Sequence, residues 1–345
     1  MKKWILFVLC LLAMSLYAQV DTVGFNATDK QGRKQGPWKK YQNGKLFYEG
    51  SFKDNVPVGT FRYYFPDGKL KSVSEFQQGV HKVKTIIYHP NGKIASEGVF
   101  VDQIKDGLWN YYAKNGNLIT VENYAMGKKT GEWKTFSQED GALLEITHYL
   151  DDKKSGDHIT YYTDGNPCLE EHYVDGLLNG KSTSYLPKKV VSCTGHYLKG
   201  KRIGDWDYHD INGKIRTTEE YVNGRVQKTY IYIYRQGAPQ KLNQDLIAYF
   251  IKKGEKTNLV LRNGNVLTQD EDLNDLALWV DFLNFTRVSP RILAANRAIA
   301  GYKSVADSDG AIIVKLRPAP SEEVYAEGLE AKMVKALFNT EKPKE

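Results

Sequence analysis

A repeat of about 24 residues organises most of this chain, and it restricts the fold to architectures in which one small unit is stacked on the next. Successive copies begin 23, 24, 24, 24, 25, 24 and 24 residues apart. The eight starting positions are Gly36, Gly59, Val83, Gly107, Gly131, Gly156, Gly180 and Gly204. The clearest copies read GPWKKYQNGKL, GTFRYYFPDGKL, GLWNYYAKNGNL and GDWDYHDINGKI. Their consensus is G-x-W-x-x-Y-x-x-x-G-x-L.

Each copy reads as two β-strands joined by a tight turn. Asn-Gly and Asp-Gly pairs, such as Asn43-Gly44 and Asp67-Gly68, supply the positive φ angles that hairpin turns require. An isolated hairpin is barely stable, so neighbouring copies must cover one another. The sequence therefore predicts a mainly β protein. We expect an elongated antiparallel β-hairpin repeat array, with eight repeats over residues 36–227 and partial units beside them, followed by a small α+β domain.

Aromatic residues recur at three positions of the repeat and predict how the hairpins pack. The third position favours tryptophan, the sixth favours tyrosine, and an aromatic residue follows the turn by eight positions in all eight copies. We expect these rings to form the core of a thin sheet. The predicted structural rings are Trp38, Tyr41, Phe52, Trp109, Tyr112, Tyr124, Trp133, Tyr149, Tyr173, Tyr197, Trp206 and Tyr221. The additional tyrosines Tyr63, Tyr111 and Tyr208 are candidates for an exposed binding face.

The pattern of glycines, rings and turns resembles the MORN-repeat variant common in bacteria, often described as YwqK-type antitoxins. The resemblance covers residues 30–237 and recurs in every unit. It implies a β-hairpin array that makes protein or membrane-surface contacts and performs no catalysis. It also implies, as one alternative, an antitoxin-like protein that binds a partner toxin.

The first 19 residues have the pattern of a secretory signal peptide. Lys2 and Lys3 precede an apolar stretch from Trp4 to Leu16, and Ala18 is a small residue suited to cleavage. Export to the periplasm or the cell surface is therefore expected, with no transmembrane segment in the mature chain. The formal net charge of +7 is spread along the chain. A dispersed charge is typical of a solvated surface, and no nucleic-acid partner is expected.

Residues 20–239 are assigned to the array, and residues 240–345 are predicted to form the small α+β domain. Thr268 and Glu271 form a capping-box pattern ahead of a helix, Ser289-Pro290 opens a second short helix, and Ser321 caps a final one. Apolar spacing then predicts the buried face of the first and last of these helices. The expected buried residues are Leu273, Leu276, Val280 and Leu283 in the first helix and Tyr325, Leu329, Met333 and Leu337 in the last.

Sequence motifs for catalysis and for cofactors are absent. The sequence contains no GxGxxG, GxxxxGK[ST], GxSxG, HExxH or paired CxxC pattern, and all seven histidines lie in the repeats. His148, His172 and His196 recur every 24 residues, but equivalent rungs lie about 10 Å apart, too far for joint metal coordination. We therefore expect no catalytic residue, no cofactor and no metal site. Cys168 and Cys193 lie one rung out of step, and whether they form a disulfide is left open.

These features favour an exported, non-enzymatic binding or scaffold protein that mediates protein–protein contacts in the cell envelope. One alternative is glycan or peptidoglycan binding through exposed repeat aromatics, and another is the antitoxin-like role. A carboxylate-dependent enzyme within residues 240–345 is a further class, for which the sequence offers no paired residues.

Overall fold

The computed structural model describes residues 24–76, 81–235, 237–280 and 283–339. The signal peptide predicted over residues 1–19 lies outside these ranges. The chain forms two compact units, Met1–Lys154 and Ser155–Glu345, and each is described by itself. Strands make up 62% of the described residues and helices 8%. The predicted fold class, mainly β with antiparallel hairpins and a small C-terminal part containing strands and a helix, is confirmed.

In the first unit, each strand from β1 to β9 pairs antiparallel with the strand that follows it, as expected for hairpins joined in series. The strands are β1 (Ala27–Thr28), β2 (Lys34–Gln42), β3 (Lys45–Lys53), β4 (Val56–Tyr64), β5 (Leu70–Phe76), β6 (Lys82–Tyr88), β7 (Ile94–Val101), β8 (Ile104–Tyr112), β9 (Leu118–Ala125), β10 (Lys128–Lys129), β11 (Gly131–Phe136) and β12 (Leu143–Leu150). The short β10 and the following β11 both pair with β9, so they form one interrupted strand.

Two kinds of turn produce this serial arrangement. The turn inside a hairpin contains the predicted glycine at positive φ. At Asn43-Gly44 both residues have positive φ, 51° and 74°, whereas at Asp67-Gly68 only the glycine does, at 85°. The turn between hairpins also places two residues at positive φ, as at Asp54-Asn55 with 52° and 69°. Asn, Asp and Gly tolerate this conformation best, and the resulting twist matches that of the flanking strands. Every hairpin therefore leads directly into the next one.

Asparagines in the inner turns also connect one turn to the next. The Asn91 side-chain amide donates a hydrogen bond of 2.8 Å to the Lys114 carbonyl oxygen. The Asn115 amide donates one of 2.9 Å to the Gln138 carbonyl oxygen, one repeat further along. These bonds satisfy turn carbonyls that have no strand partner, so asparagine stabilises both its own turn and the next.

The second unit begins with hairpins of the same kind. Its hairpin strands are β13 (Lys153–Tyr161), β14 (Pro167–Val174), β15 (Leu177–Leu178), β16 (Gly180–Leu186), β17 (Val190–Leu198), β18 (Lys201–His209), β19 (Ile215–Val222), β20 (Arg225–Arg235) and β21 (Ala238–Asn243). Strand β13 starts two residues before the unit boundary. From β16 to β21 each strand pairs with its successor.

The C-terminal part of this unit contains two further sheets and two α-helices. Five strands are arranged in the order β24-β23-β22-β26-β25, and three in the order β27-β28-β29. The elements are β22 (Ile247–Lys253), β23 (Lys256–Leu261), β24 (Val266–Gln269), α1 (Leu273–Ala277), β25 (Phe285–Ser289), β26 (Ile292–Ala295), β27 (Ile299–Ser304), β28 (Ile312–Leu316), β29 (Val324–Ala326) and α2 (Gly328–Phe338). None of the helices in the described ranges has the length and apolarity needed to cross a membrane.

The last hairpins and the C-terminal part share one hydrophobic core. Ile231 and Ile233 of β20 and Leu242 of β21 are buried in the same cluster as Phe250 and Val288. This core is continuous from the array into the C-terminal sheets, so burial of apolar area stabilises both together.

An ion pair reinforces the same junction. The Arg216 guanidinium, only 6% exposed, contacts the Glu271 carboxylate through both of its terminal nitrogens. Lys214 Nζ lies 3.1 Å from the same carboxylate, and the Thr217 hydroxyl donates a hydrogen bond of 3.0 Å to the Trp279 carbonyl oxygen. Glu271, which the sequence analysis places in a capping box, therefore binds the last hairpins.

The first two helix predictions in the C-terminal part differ from the structure: one helix starts later, and the other is replaced by a hairpin. Helix α1 is capped by Asp272, whose side chain accepts a hydrogen bond from the Asn274 backbone N–H, whereas Thr268 belongs to β24. Leu283, expected on the buried face, is exposed. The helix predicted from Ser289-Pro290 is wrong, because the apolar residues on both sides form the β25–β26 hairpin and the proline lies in its turn.

The final helix starts later than predicted and buries a different face. Val324 and Ala326 are buried in β29 while Tyr325 points outward, which is the two-residue alternation of a strand. Helix α2 then begins at Gly328 and buries Ala331 and Val334. Of the expected buried residues, Leu337 is partly buried, whereas Tyr325, Leu329 and Met333 are exposed. Pairing of β29 with β28 fixes this phase.

Candidate binding surface

Aromatic rings cover one face of the hairpins, which we call the ring face. In the first unit, successive ring centroids are 5.8 Å apart for Trp38 and Phe52, 5.2 Å for Phe52 and Phe61, and 5.1 Å for Phe61 and Phe76. The rings meet edge to face, the favoured geometry for neighbouring aromatic side chains. Phe61, Trp133 and Trp206 each contact rings of the strands on both sides, so the ladder joins neighbouring hairpins.

Three of the third-position rings lie directly on the backbone of the preceding hairpin. Phe61, Trp109 and Trp206 are 1–3% exposed and are seated over Gly50, Gly98 and Gly195. A Cβ atom added to Gly195 would lie 2.2 Å from the Trp206 ring, closer than real contacts allow. These glycines, two positions before the second-strand ring, are therefore part of the ring site. Their coincidence with a large third-position ring in the next copy is a signal that the sequence analysis missed.

In the second unit, an arginine is clamped between the rings. The Arg202 guanidinium lies 4.0 Å from the centre of the Trp206 ring and donates hydrogen bonds of 2.9 and 3.1 Å to the hydroxyls of Tyr208 and Tyr221. Both hydroxyls in turn donate to the Glu219 carboxylate, at 2.8 and 2.7 Å. Burial, followed by the bond to Glu219, raises the pKa of Tyr208 far above its usual value. The cation and the carboxylate fix both rings in place.

A lysine has the same role in the first unit. Lys105 Nζ lies 5.0 Å from each ring centre of Trp109, Tyr111 and Tyr124 and contacts the Tyr111 hydroxyl. The Tyr124 hydroxyl donates a hydrogen bond of 2.8 Å to Glu122. Burial and the nearby Glu122 carboxylate raise the pKa of Tyr111. The same set of residue types, a cation with Trp, Tyr, Glu and Tyr, is thus built twice from equivalent repeat positions.

The three tyrosines proposed for binding all lie on the ring face. Tyr111 and Tyr208 are half-buried in the two clamps, and their hydroxyls are hydrogen-bonded. Tyr63 is also half-buried, with its ring centre 5.6 Å from that of Tyr48 and 6.0 Å from that of Phe47. The predicted structural ring Tyr41, by contrast, is 55% exposed. Ring identity alone therefore does not indicate which rings face solvent.

On the opposite face, sixth-position tyrosines bind glutamates of the preceding hairpin. The hydroxyls of Tyr64, Tyr112 and Tyr185 donate hydrogen bonds of 2.7–2.8 Å to Glu49, Glu97 and Glu170, each fifteen residues earlier. Bonds to an ionised acceptor are stronger than neutral ones. These links complement the ring ladder by fastening neighbouring hairpins on the second face.

Replacing Tyr64 with phenylalanine is expected to lower the free energy of unfolding by about 1.5 kcal/mol, because a half-buried carboxylate loses its hydrogen bond. Burial and the Glu49 carboxylate raise the pKa of Tyr64 to about 12, so the folded protein holds this proton more tightly than the unfolded chain. Its contribution is therefore complete below about pH 10 and is lost as the pH rises towards 12. Urea denaturation of both proteins at pH 8 and pH 11 measures the effect; an equal difference at both pH values would contradict it.

Exposed aliphatic residues line the turns between hairpins, and we call this row the apolar edge. In the second unit it comprises Val174, Leu177, Leu198, Val222 and Val226, which are 44–51% exposed. In the first unit the corresponding exposed residues are Val56, Ile104, Met126 and Leu150. The row escaped the sequence analysis, although the position after the second-strand ring is apolar in six of eight copies: Val101, Ala125, Leu150, Val174, Leu198 and Val222.

The histidines and cysteines occupy separate environments. His172 Nδ1 lies 2.8 Å from an Asp157 carboxylate oxygen on the exposed surface. Cys168 and Cys193 are both free thiols and are half-buried. Burial raises the pKa of the Cys193 thiol to about 11.

The Cys193 thiol is expected to react with iodoacetamide about 100-fold more slowly at pH 8 than the same cysteine in the urea-unfolded chain, because only the thiolate is nucleophilic. Cys168→Ser isolates the measurement, and mass spectrometry follows the alkylated fraction with time. Equal rates for folded and unfolded protein would show that the thiol is not protected.

Comparison with known proteins identifies the repeat. A family described as the MORN repeat variant matches residues 34–54, 57–78 and 84–102. Residues 34–102 carry three MORN repeats of this variant type. The matched segments include Phe61 and Gly50 of the ring face, so the ring-on-glycine contact lies within the MORN region itself. No protein with a curated description matches the sequence.

Two solved structures show distant likenesses. A LytTr DNA-binding domain of a DNA response regulator from Bacillus cereus is 13% identical; the match covers 32% of this chain and 96% of that domain, with a TM-score of 0.26. The TcdB2-TccC3-TEV structure is 14% identical over 68% of this chain and 14% of its own, with a TM-score of 0.17. Both scores are too low to establish a shared fold.

Proposed function

We propose that this chain is a non-enzymatic binding scaffold of the cell envelope whose MORN hairpins contact a protein partner along the apolar edge. The observation that carries the proposal is this row of exposed aliphatic side chains, repeated from turn to turn. Contiguous exposed apolar residues mark interaction surfaces, because water contact with them is unfavourable.

The chemistry of the two faces supports this choice of surface. The hydroxyls of Tyr208 and Tyr221 are already bound to Arg202 and Glu219, so this part of the ring face satisfies its own polar groups. The side chains of the apolar edge, such as Leu198, retain large solvent-exposed areas. MORN repeats are often protein- or membrane-binding modules, and a non-enzymatic binding role fits this chain. The signal-like first 19 residues support placing the partner in the envelope.

The test is a pull-down from an envelope extract with the purified mature protein. Leu177→Ser, Leu198→Ser and Val222→Ser together remove the centre of the apolar edge in the second unit. We expect the captured protein partner to be lost, while the far-ultraviolet circular dichroism spectrum is unchanged.

A matched control separates apolar from charged recognition. Lys201 and Arg225 lie directly across the turn from Leu198 and Val222. Their replacement by serine is expected to leave capture intact. Retention of the partner by the apolar variant, or its loss in the control alone, would contradict the proposal, as would sedimentation with purified cell wall in the absence of any protein partner.

A further inference from the structure

The third MORN copy departs from the others in a way that leaves a gap in the ring ladder. Val83 stands where the other copies begin with glycine, and Thr85 stands where Phe61 and Trp109 place their rings. Valine does not adopt the positive φ of Gly59 and Gly107, which are 71° and 68°. Strands β5 and β6 consequently pair without the register shift seen between β3 and β4 or between β7 and β8.

The missing ring leaves a notch on the ring face. It has a volume of 290 Å³ and is lined by Ser74, Phe76, Val83, Thr85, Phe100 and Gln103. Among the described residues, the rings on either side make their ring contacts away from the notch: Phe76 meets Phe61 at 5.1 Å, and Phe100 meets Trp109 at 4.7 Å. The ladder is therefore interrupted at the position of Thr85.

The polar groups at the floor of the notch are hydrogen-bonded to each other. Ser74 and Thr85 face each other across the two strands, are 8% and 6% exposed, and join their hydroxyls in a hydrogen bond of 3.0 Å. None of the six lining side chains carries a charge. An occupant needs neither charge nor strong hydrogen-bonding groups; it needs a flat apolar surface that meets two phenylalanines.

We propose that this notch binds an aromatic side chain of a protein partner. In the neighbouring copies the same place on the ladder is filled from within, by Phe61 over Gly50 and by Trp109 over Gly98. The neutral lining matches an uncharged ring, and an inserted ring continues a row of edge-to-face contacts that the protein already uses. The inference rests on the proposed function, because it supplies one anchor for the partner that the apolar edge contacts.

The experiment uses N-acetyltryptophanamide as the probe and the mature full-length protein. Methyl-selective NMR of Val83 and Thr85 is expected to show a saturable shift, while the methyl signals of Leu198 and Val222 stay unchanged. Isothermal titration calorimetry measures probe binding to the variants, because they replace the methyl reporters. Filling the notch from within, by Ser74→Gly, Val83→Gly and Thr85→Trp together, restores the MORN consensus and is expected to weaken probe binding at least 10-fold. Val83→Ser, which only removes the apolar wall, is expected to weaken it several-fold.

The outcomes are distinguishable. No shift at Val83 and Thr85, equal binding by the filled variant, or a response to N-acetylglucosamine but not to the aromatic probe would each overturn the inference. If the envelope pull-down captures a partner equally well with the filled variant, the notch is not its anchor although the proposed function stands. Probe binding at the notch, with no partner captured by the mature protein, would support the notch as a binding site but contradict the proposed function.

Discussion

Replacing Gly195 with alanine is expected to lower the free energy of unfolding by about 3 kcal/mol, the upper part of the range for overpacked cores. The added Cβ would lie 2.2–2.5 Å from three atoms of the Trp206 ring. That ring is 3% exposed and is held on its other side by Arg202, so it cannot move away freely. Urea denaturation monitored by circular dichroism gives the difference.

A double-mutant cycle shows whether the ring causes the effect. In a Trp206→Ser background the same glycine replacement is expected to change stability by less than about 0.5 kcal/mol, because no ring remains to collide with the methyl group. The third, sixth and seventh copies have Thr85, His158 and Ser182 at the third position, so the serine background has a natural precedent in Ser182. An equal cost in both backgrounds would mean that Gly195 is needed for its backbone alone.

Replacing Glu271 with glutamine is expected to destabilise the second unit by about 3 kcal/mol, because the Arg216 charge is left buried without a full counter-charge. Arg216 is 6% exposed, and its next carboxylate neighbour, Asp210, lies 4.0 Å away. Since this ion pair joins β19 to the start of α1, unfolding of the C-terminal part is expected at lower urea concentration. Tryptophan fluorescence, which includes Trp279, and circular dichroism follow the transition.

Asp270 provides the matched control beside it. Its carboxylate is 79% exposed and lies 3.3 Å from Lys256, and exposed pairs of this kind contribute less than about 1 kcal/mol. Asp270→Asn is therefore expected to leave stability nearly unchanged. Joint replacement of Arg216 and Glu271 by methionine is expected to recover much of the loss, because no unpaired charge remains. Equal effects of the two single substitutions would show that the Glu271 pair has no special role.

The sequence was sufficient to predict the hairpins because their determinants are local. Asn43-Gly44 and its equivalents fix turns within two residues, and the period of 24 shows that each unit repeats. The ring-on-glycine contact was not predicted because its two halves lie in different copies: Gly195 closes one hairpin and Trp206 opens the next. The contact becomes apparent only when paired positions in neighbouring copies are compared. A glycine is paired with a large ring, as Gly50 is with Phe61, whereas a serine is paired with a smaller side chain, as Ser74 is with Thr85.

The surface was harder to predict than the fold. The repeat positions of Tyr111 and Tyr208 are equally compatible with exposed and with enclosed rings. In the structure, both rings are enclosed by a cation of their own strand and a glutamate of the next strand. In the C-terminal part, the spacing of Tyr325, Leu329 and Met333 suggests a helix face, but pairing of β29 with β28 determines the phase instead. Tertiary contacts override local periodicity at these positions.

The most direct test of the stacking arrangement is the NMR chemical shift of the glycine α-protons. A proton held against the face of an aromatic ring is shielded, so the α-protons of Gly50, Gly98 and Gly195 should lie well upfield of those of the turn glycines. Each should also show a nuclear Overhauser contact to its ring, on Phe61, Trp109 or Trp206. Glycine signals at ordinary positions without these contacts would contradict the claim that a ring of one hairpin is seated on the backbone of the hairpin before it.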